Sequence, residues 1–306
     1  MHEHPYDFGA QLVHVPEVKA FFHHPSFTWS YVVADPSTKH CAIIDSVLDF
    51  DLPSATLSHE SADAIAGYVI DQGYEVQWHL ETHMHADHLS AAAYLKETLG
   101  GKVAIGNHIA DIQGMYQEVF NVPLAELETA RRQFDKLWDD FDTFMIGTIP
   151  AFTFYTPGHT PADIVYGIGE TLFVGDSLFM PDFGSARCDF PLGSAADLYD
   201  SVQKIYQLPD QMRMFMCHDY LPEGRTEYRC ETSLAEQKAS NKHLKLGVEK
   251  ATFVALREAR DATLSLPVFM IPSLQVNVRA GRVPEEDGKP MLRFPVNSIF
   301  SKYPKR

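Results

Sequence analysis

Four short apolar stretches of this chain each run directly into histidine or aspartate. EVQWHL leads into ETHMHADHLS at residues 81–90, AFTFY into TPGHT, TLF into VGDSLF, and RMFM into CHDY. Apolar runs of this length, rich in aromatic and β-branched residues, read as buried strands. Reactive groups are displayed on loops at strand ends. A chain that repeats strand-then-donor four times is therefore constrained to a layered fold that gathers those ends at one edge.

The donors are His83, His85, Asp87 and His88 in the first loop, His159 in the second, Asp176 in the third and His218 in the fourth. His83 and His85, two residues apart on extended backbone, can point to one side. Any one strand-end histidine is ordinarily a surface or capped residue. Packing several imidazoles and a carboxylate together brings no gain unless a cation is shared. A divalent metal needs several N or O ligands from different segments, which this set supplies. The remaining histidines (His2, His4, His14, His23, His24, His40, His59, His79, His108 and His243) are scattered and read as ordinary polar residues.

Between the donor loops the text alternates in character. FTWSYVVAD and CAIID read as strands. ADAIAGYVIDQG predicts a helix burying Ala62, Ile65, Ala66, Val69 and Ile70 and ending at Gly73. SAAAYLKETLGG predicts a helix capped by Ser90, and AADLYDSVQKIYQL one closed by Pro209. Alternating strands and helices imply an α/β domain. The expected division is a domain over 1–240 with a helical insertion at about 110–142, and an extension over 241–306, Pro-rich at its end, packed on the same domain.

Composition narrows the partners. Formal net charge is −16 with no Lys/Arg run, which argues against nucleic acid. An anionic small substrate then needs a locally basic pocket. Cys41, Cys188, Cys217 and Cys230 form no C-x-x-C pair, MHEHPYDFGA lacks signal-peptide features, and no apolar run reaches membrane-spanning length. The expectation is a cytoplasmic protein without membrane contact.

In order and context, THMHADH, TPGHT, GDSLF and CHDY resemble the metallo-β-lactamase superfamily, over roughly Phe27 to Tyr220. The resemblance implies an αββα sandwich with its metal at one edge. Within the superfamily, ETHMHADHLSAA, GSARCDFPLGSAADLYDSVQKIYQLP and PSLQVNVRAG look like bacterial persulfide dioxygenases similar to the mitochondrial sulfur dioxygenase. That likeness implies one Fe(II) per chain held by His83, His159 and Asp176, oxidation of glutathione persulfide by O2 to sulfite and glutathione, and a homodimer. Two imidazoles and one carboxylate leave three coordination positions open, an arrangement suited to non-haem iron. His85, Asp87, His88 and His218 are the positions that two-zinc relatives use. They keep open a hydrolase of the glyoxalase II type, or a lactonase, with one or two Zn(II); in the iron enzyme they would orient the ligands.

In ARCDF, Asp189 is expected to anchor a neighbouring histidine, with Arg187 holding the loop or facing an anionic substrate. Tyr220 and Arg225, after the last donor loop, are further substrate candidates. Cys188 and Cys217 read as inert thiols rather than a sulfur relay. The insertion, the MPDFGSA stretch and the extended C-terminus depart from the mitochondrial type.

Overall fold

The computed structural model describes residues 13–123 and 132–296, together with Phe300. His2, His4, residues 124–131 of the insertion and most of the chain's last ten residues lie outside the described residues.

The first half begins with β1 (Glu17–His23), β2 (Thr28–Asp35), β3 (His40–Ile44), β4 (Val47–Asp51) and β5 (Thr56–Ser58). Helix α1 (Glu60–Gln72), β6 (Glu75–Leu80), β7 (Leu89–Ser90), α2 (Ala92–Leu99), β8 (Lys102–Gly106), α3 (Ile109–Phe120) and β9 (Lys136–Trp138) follow. Six of these strands form a sheet in the order β1-β2-β3-β6-β8-β9, antiparallel at its start and parallel from β3 onward. The second half supplies β10 (Thr143–Ile146), β11 (Ile149–Tyr155), β12 (Ile164–Ile168), β13 (Thr171–Phe173), α4 (Ala195–Ile205), β14 (Arg213–Phe215) and β15 (Glu231–Ser233), paired in sequence order. Helices α5 (Leu234–Ser240), α6 (Lys250–Asp261) and α7 (Met270–Asn277) follow, and a short antiparallel pair, β16 (Glu285–Glu286) and β17 (Lys289–Pro290), comes after them.

The period-two alternation of the strands explains the layering. Tyr31, Val33, Ala42 and Ile44 face inward and meet Ile149, Ala151, Ile164, Tyr166 and Phe173 of the other sheet. Their neighbours Val32, Ala34, Cys41 and Ile43 face outward onto α1 and α2, through Ala62, Ile65, Ala66, Val69 and Leu95. On the opposite side Phe152, Phe154, Val165 and Leu172 pack on Leu198, Val202 and Ile205 of α4 and Phe253 of α6. The result is the expected αββα sandwich.

Three local expectations change. Ile70 is 64% exposed, because the buried stripe of α1 runs through Ala62, Ile65, Ala66 and Val69 and the helix turns Ile70 away. Ser90 ends β7, one residue before the N-cap position at Ala91; its hydroxyl donates to Glu81 at 2.7 Å and accepts from Ala92 N at 3.1 Å at the start of α2. Of the described residues in the 110–142 stretch, α3 is helical, whereas Lys136–Trp138 extends the first sheet beside β8. Helix α7 lies within the C-terminal extension. Helices α3 and α7 pack together, Ile112 and Tyr116 with Leu274 and Val278, in a cluster that also holds Met84 and Ala86 of the first donor loop.

Candidate metal centre

The first donor loop begins where β6 ends, and what holds it lies elsewhere in the sequence. Asp45, which follows β3 with a left-handed φ of 50°, accepts from Thr82 N and Thr82 Oγ1 at 2.8 Å each and from His85 Nε2 at 3.0 Å. Glu81 lies 3.4 Å from the same His85 nitrogen. Burial alone raises the Asp45 carboxyl, but the His85 imidazole and the Thr82 hydrogen bonds reverse this and hold it below the usual range. On the loop's other side, Asn277 of α7 donates through Nδ2 to the carbonyls of His85 and His88, both at 2.8 Å, and accepts from Ser90 N at 2.7 Å. One amide, reached across nearly the whole chain, ties three backbone groups of the donor loop.

His83 donates from Nδ1 to Thr82 Oγ1 at 3.0 Å, and His159 from Nδ1 to the Arg187 carbonyl at 2.7 Å. These bonds set both tautomers and leave each Nε2 as a lone pair. In the third loop Gly175, at φ 51°, brings its backbone so near Thr82 that a Cβ would lie 2.7 Å from the hydroxyl, which seats Asp176 beside β6. The ligand atoms of His83, His159 and Asp176 lie within 4.8 Å of one another, and His159 Nε2 is 3.6 Å from Asp176 Oδ2. Asp176 Oδ1 faces His218 Nε2 at 3.4 Å, and that nitrogen is also 3.4 Å from Asp87 Oδ2. Thr28 Oγ1 sits behind this second group, 3.3–3.4 Å from Asp87, His88 and His218.

The donor set fits a divalent cation. His83 Nε2, His85 Nδ1, His88 Nε2, His218 Nε2 and Asp176 Oδ1 are all buried without a hydrogen-bond partner. Several inward-facing polar atoms left unsatisfied together would be costly without a shared ligand. Burial, with His85 and His159 nearby, holds the His83 pKa well below its ordinary value, so its lone pair stays available for a metal.

All the first-loop donors, with His159, Asp176 and His218, are thus gathered at one edge of the sandwich. Asp189 binds Arg187, accepting from Nε at 2.7 Å and Nη2 at 2.8 Å, and the work of orienting a histidine falls to the Arg187 carbonyl. Arg187 and Tyr220 line a cavity of about 600 Å3 that reaches Asp87, His159 and Asp176. Phe27, Phe179, Phe183 and Phe190 form its aromatic walls, and Arg257 and Arg260 also border it. Arg225 binds Asp182 at 2.9 Å and also Asp219, bracing the His218 loop. Burial pushes the pKa of the Cys188 and Cys217 thiols up, which disfavours their thiolate forms. Sequence reasoning missed Asp45, Glu81, Thr28 and Asn277. No local signal singled any of them out: even Asn277 shares PSLQVNVRAG with a second buried amide, Gln275.

Among the described residues no helix is long and apolar enough to cross a membrane. The chain is 47% identical over 307 residues to a "Beta-lactamase hydrolase-like protein" of Xylella fastidiosa, covering 97% of this chain and 70% of that one. It is 42% identical to "Glyoxylase B2" of Dictyostelium discoideum, covering 92% and 98%. It is 26% identical to the mitochondrial persulfide dioxygenase ETHE1 of Bos taurus, covering 86% and 88%. The crystal structure of ETHE1 from Myxococcus xanthus superposes with a TM-score of 0.69 at 26% identity, covering 87% of this chain and all of that one. The family model of the metallo-β-lactamase superfamily matches residues 24–218, the span that carries every donor described above. A four-loop metal edge on an αββα sandwich, matched over most of its length, makes this chain a member of the metallo-β-lactamase superfamily.

Proposed function

We propose that the chain is an iron-dependent persulfide dioxygenase that converts glutathione persulfide, O2 and water to glutathione, sulfite and two protons. The observation that carries this reading is the convergence of His83, His159 and Asp176 within 4.8 Å beside the open cavity. Held there, iron(II) supplies the redox chemistry that the reaction of O2 with sulfur requires. The chain's own residues do the rest. Thr82 and the Arg187 carbonyl aim the two imidazoles, Asp45 and Asn277 fix the loop, and Phe27, Phe179, Phe183 and Phe190 give the cavity an aromatic lining. The likeness to two ETHE1 proteins, one named a persulfide dioxygenase, supports the same reading.

A second reading, zinc-dependent hydrolysis of glutathione thioesters or lactones, has its own support. Asp176 extends one oxygen toward His159 and the other toward His218, so the one carboxylate would be available to the donors on both sides if zinc were held there. The relatives at 42–47% identity are named a glyoxylase and a hydrolase-like protein. Metal analysis of protein purified without added metal, combined with oxygen-electrode assays, separates the two. Iron at about one per chain and O2 uptake with glutathione persulfide are the expected results. Zinc at two per chain, no O2 uptake and rapid hydrolysis of S-lactoylglutathione would establish the hydrolase instead.

A further inference from the structure

Thr28 Oγ1, which sits behind Asp87, His88 and His218, makes its shortest contact in the opposite direction, to Ser26 Oγ at 2.7 Å. Ser26 Oγ is in turn 2.7 Å from His23 Nδ1, and His23 Nε2 lies 3.4 Å from Asp49 Oδ1. His23 closes β1 and Thr28 opens β2, so these two residues and the turn between them carry the first three groups; Asp49 comes from β4. Thr28 and Ser26 are buried, whereas the side chains of His23 and Asp49 are 12% and 20% exposed. A row of polar side chains therefore runs from the metal edge to solvent, and Ser26 also borders the cavity.

The outer end of the row sets the direction of every bond in it. Burial alone raises the Asp49 carboxyl, but hydrogen bonds from His23 and from Ser61, whose N and Oγ are 2.8 and 2.7 Å away, reverse this and hold it below the usual range. Asp49 is then a carboxylate, an acceptor only, so neutral His23 carries its proton on Nε2 and keeps a lone pair on Nδ1. Ser26 donates to that lone pair, and Thr28 donates to Ser26. The 2.7 Å bond takes the Thr28 proton over contacts of 3.4 and 3.5 Å to Asp87 and the Ser26 carbonyl. The lone pairs of Thr28 Oγ1 are left facing the donors of the second group. Bracing the turn between β1 and β2 needs only His23 and Ser26; the bonds onward to Thr28 and to Asp49 extend the row to the metal edge on one side and to solvent on the other.

We propose that Thr28, Ser26, His23 and Asp49 form a proton relay that carries protons from the metal edge to solvent. A proton reaching Thr28 Oγ1 from the cavity side moves the Thr28 hydroxyl proton onto Ser26 Oγ, and the Ser26 proton onto His23 Nδ1. The imidazolium, held beside the Asp49 carboxylate, releases its Nε2 proton to solvent. One proton enters and one leaves, no electron moves, and rotation of the hydroxyls and the ring restores the starting arrangement. The inference goes beyond the proposed reaction and rests only on proton-releasing chemistry at this edge, which both readings supply: persulfide oxidation yields two protons, and thioester hydrolysis yields one from the acid it forms.

One arm of the test needs no turnover. In metal-free protein, nitrogen NMR of the histidine rings should show neutral His23 with its proton on Nε2, and Ser26→Ala should remove the hydrogen bond at Nδ1. A proton resting on Nδ1 would overturn the relay. The other arm follows O2 uptake or thioester hydrolysis, whichever the metal-loaded wild type performs. His23→Gln should lower kcat about threefold with metal content unchanged, because glutamine can bond to Ser26 and Asp49 but cannot take up a proton. His23→Ala should lose as much and recover with added imidazole. Adding Thr28→Val to His23→Gln should bring no further loss, since both interrupt one path. Wild-type kcat in His23→Gln, losses that multiply in the double variant, or metal lost with His23 would each establish a structural brace in place of a relay. A protein that turns over neither substrate removes the proposed reaction, and the ring spectra of that same protein still decide the hydrogen-bond path.

Discussion

The two halves of the metal edge are built from the same residue types but supported differently. In the half formed by His83, His159 and Asp176, each imidazole is tied by one short bond on its far side, to Thr82 Oγ1 or to the Arg187 carbonyl. In the half formed by Asp87, His88 and His218, three donors crowd round one hydroxyl, Thr28 Oγ1, at 3.3–3.4 Å. His218 also donates to the Phe27 carbonyl at 3.2 Å. The imidazoles of the first half each have a dedicated partner; the second half shares the Thr28 hydroxyl, with one further bond from His218 to the Phe27 carbonyl. The ligand types are alike in the two halves, so the difference between them lies in the supporting atoms.

The largest effect should come from breaking the first half. His159→Ala is expected to strip the metal and lower activity at least about a thousandfold, while His218→Ala retains most of the metal. Metal content per chain measures both, and a His218→Ala protein emptied of metal would reverse the ranking of the two halves.

Next is the scaffold beneath both halves. His79 of β6 is 1% exposed, and burial pushes its pKa down to about 4, against the single bond to the Gly100 carbonyl. The unfolded chain takes up a proton near pH 6.5 that the folded one refuses. Stability is thus retained above that pH and lost as pH falls from 6.5 toward 4, by about 3 kcal/mol in total. His79→Gln should flatten this part of the stability–pH curve in denaturant titrations of the metal-free protein. A curve unchanged by the substitution would assign acid sensitivity to the metal edge instead.

Asn277→Asp comes third. It places a carboxylate against two carbonyl oxygens that Asn277 now serves as a donor. Metal affinity should fall roughly 10- to 100-fold in chelator competition, because the clamp fixes the backbone of the loop that carries His83 of the first half and Asp87 and His88 of the second. The smallest effect is that of Thr28→Val. It removes the hub hydroxyl behind the second half only, so activity should fall about threefold with metal content unchanged. Loss of metal in this variant would show that the halves are coupled more tightly than their separate supports indicate.

Much of this was legible beforehand for a specific reason. Strands announce themselves by apolar alternation, and the donors follow directly in sequence, so ETHMHADHLS, TPGHT, GDSLF and CHDY could be located and grouped. The supports could not. Asp45 sits in CAIIDSV and Thr28 in SFTWSY, stretches whose local pattern says only strand or turn. Asn277 meets its partners across 187 to 192 residues, and no local periodicity encodes that contact. Arg225 and Arg260 look equivalent as isolated basic residues. Packing paired one with Asp182 and Asp219 and left the other at the cavity.

By itself, then, the order of residues determined the layered architecture and the identity of the donors, because both depend on spacing along a strand and on the chemistry of individual side chains. Only the tertiary structure decided which nitrogen each imidazole presents, which carboxylates lie behind the loop and which arginines are tied to carboxylates. Those outcomes depend on atoms brought within about 3 Å from distant parts of the chain, and hydrogen-bond energies change steeply over a few tenths of an ångström.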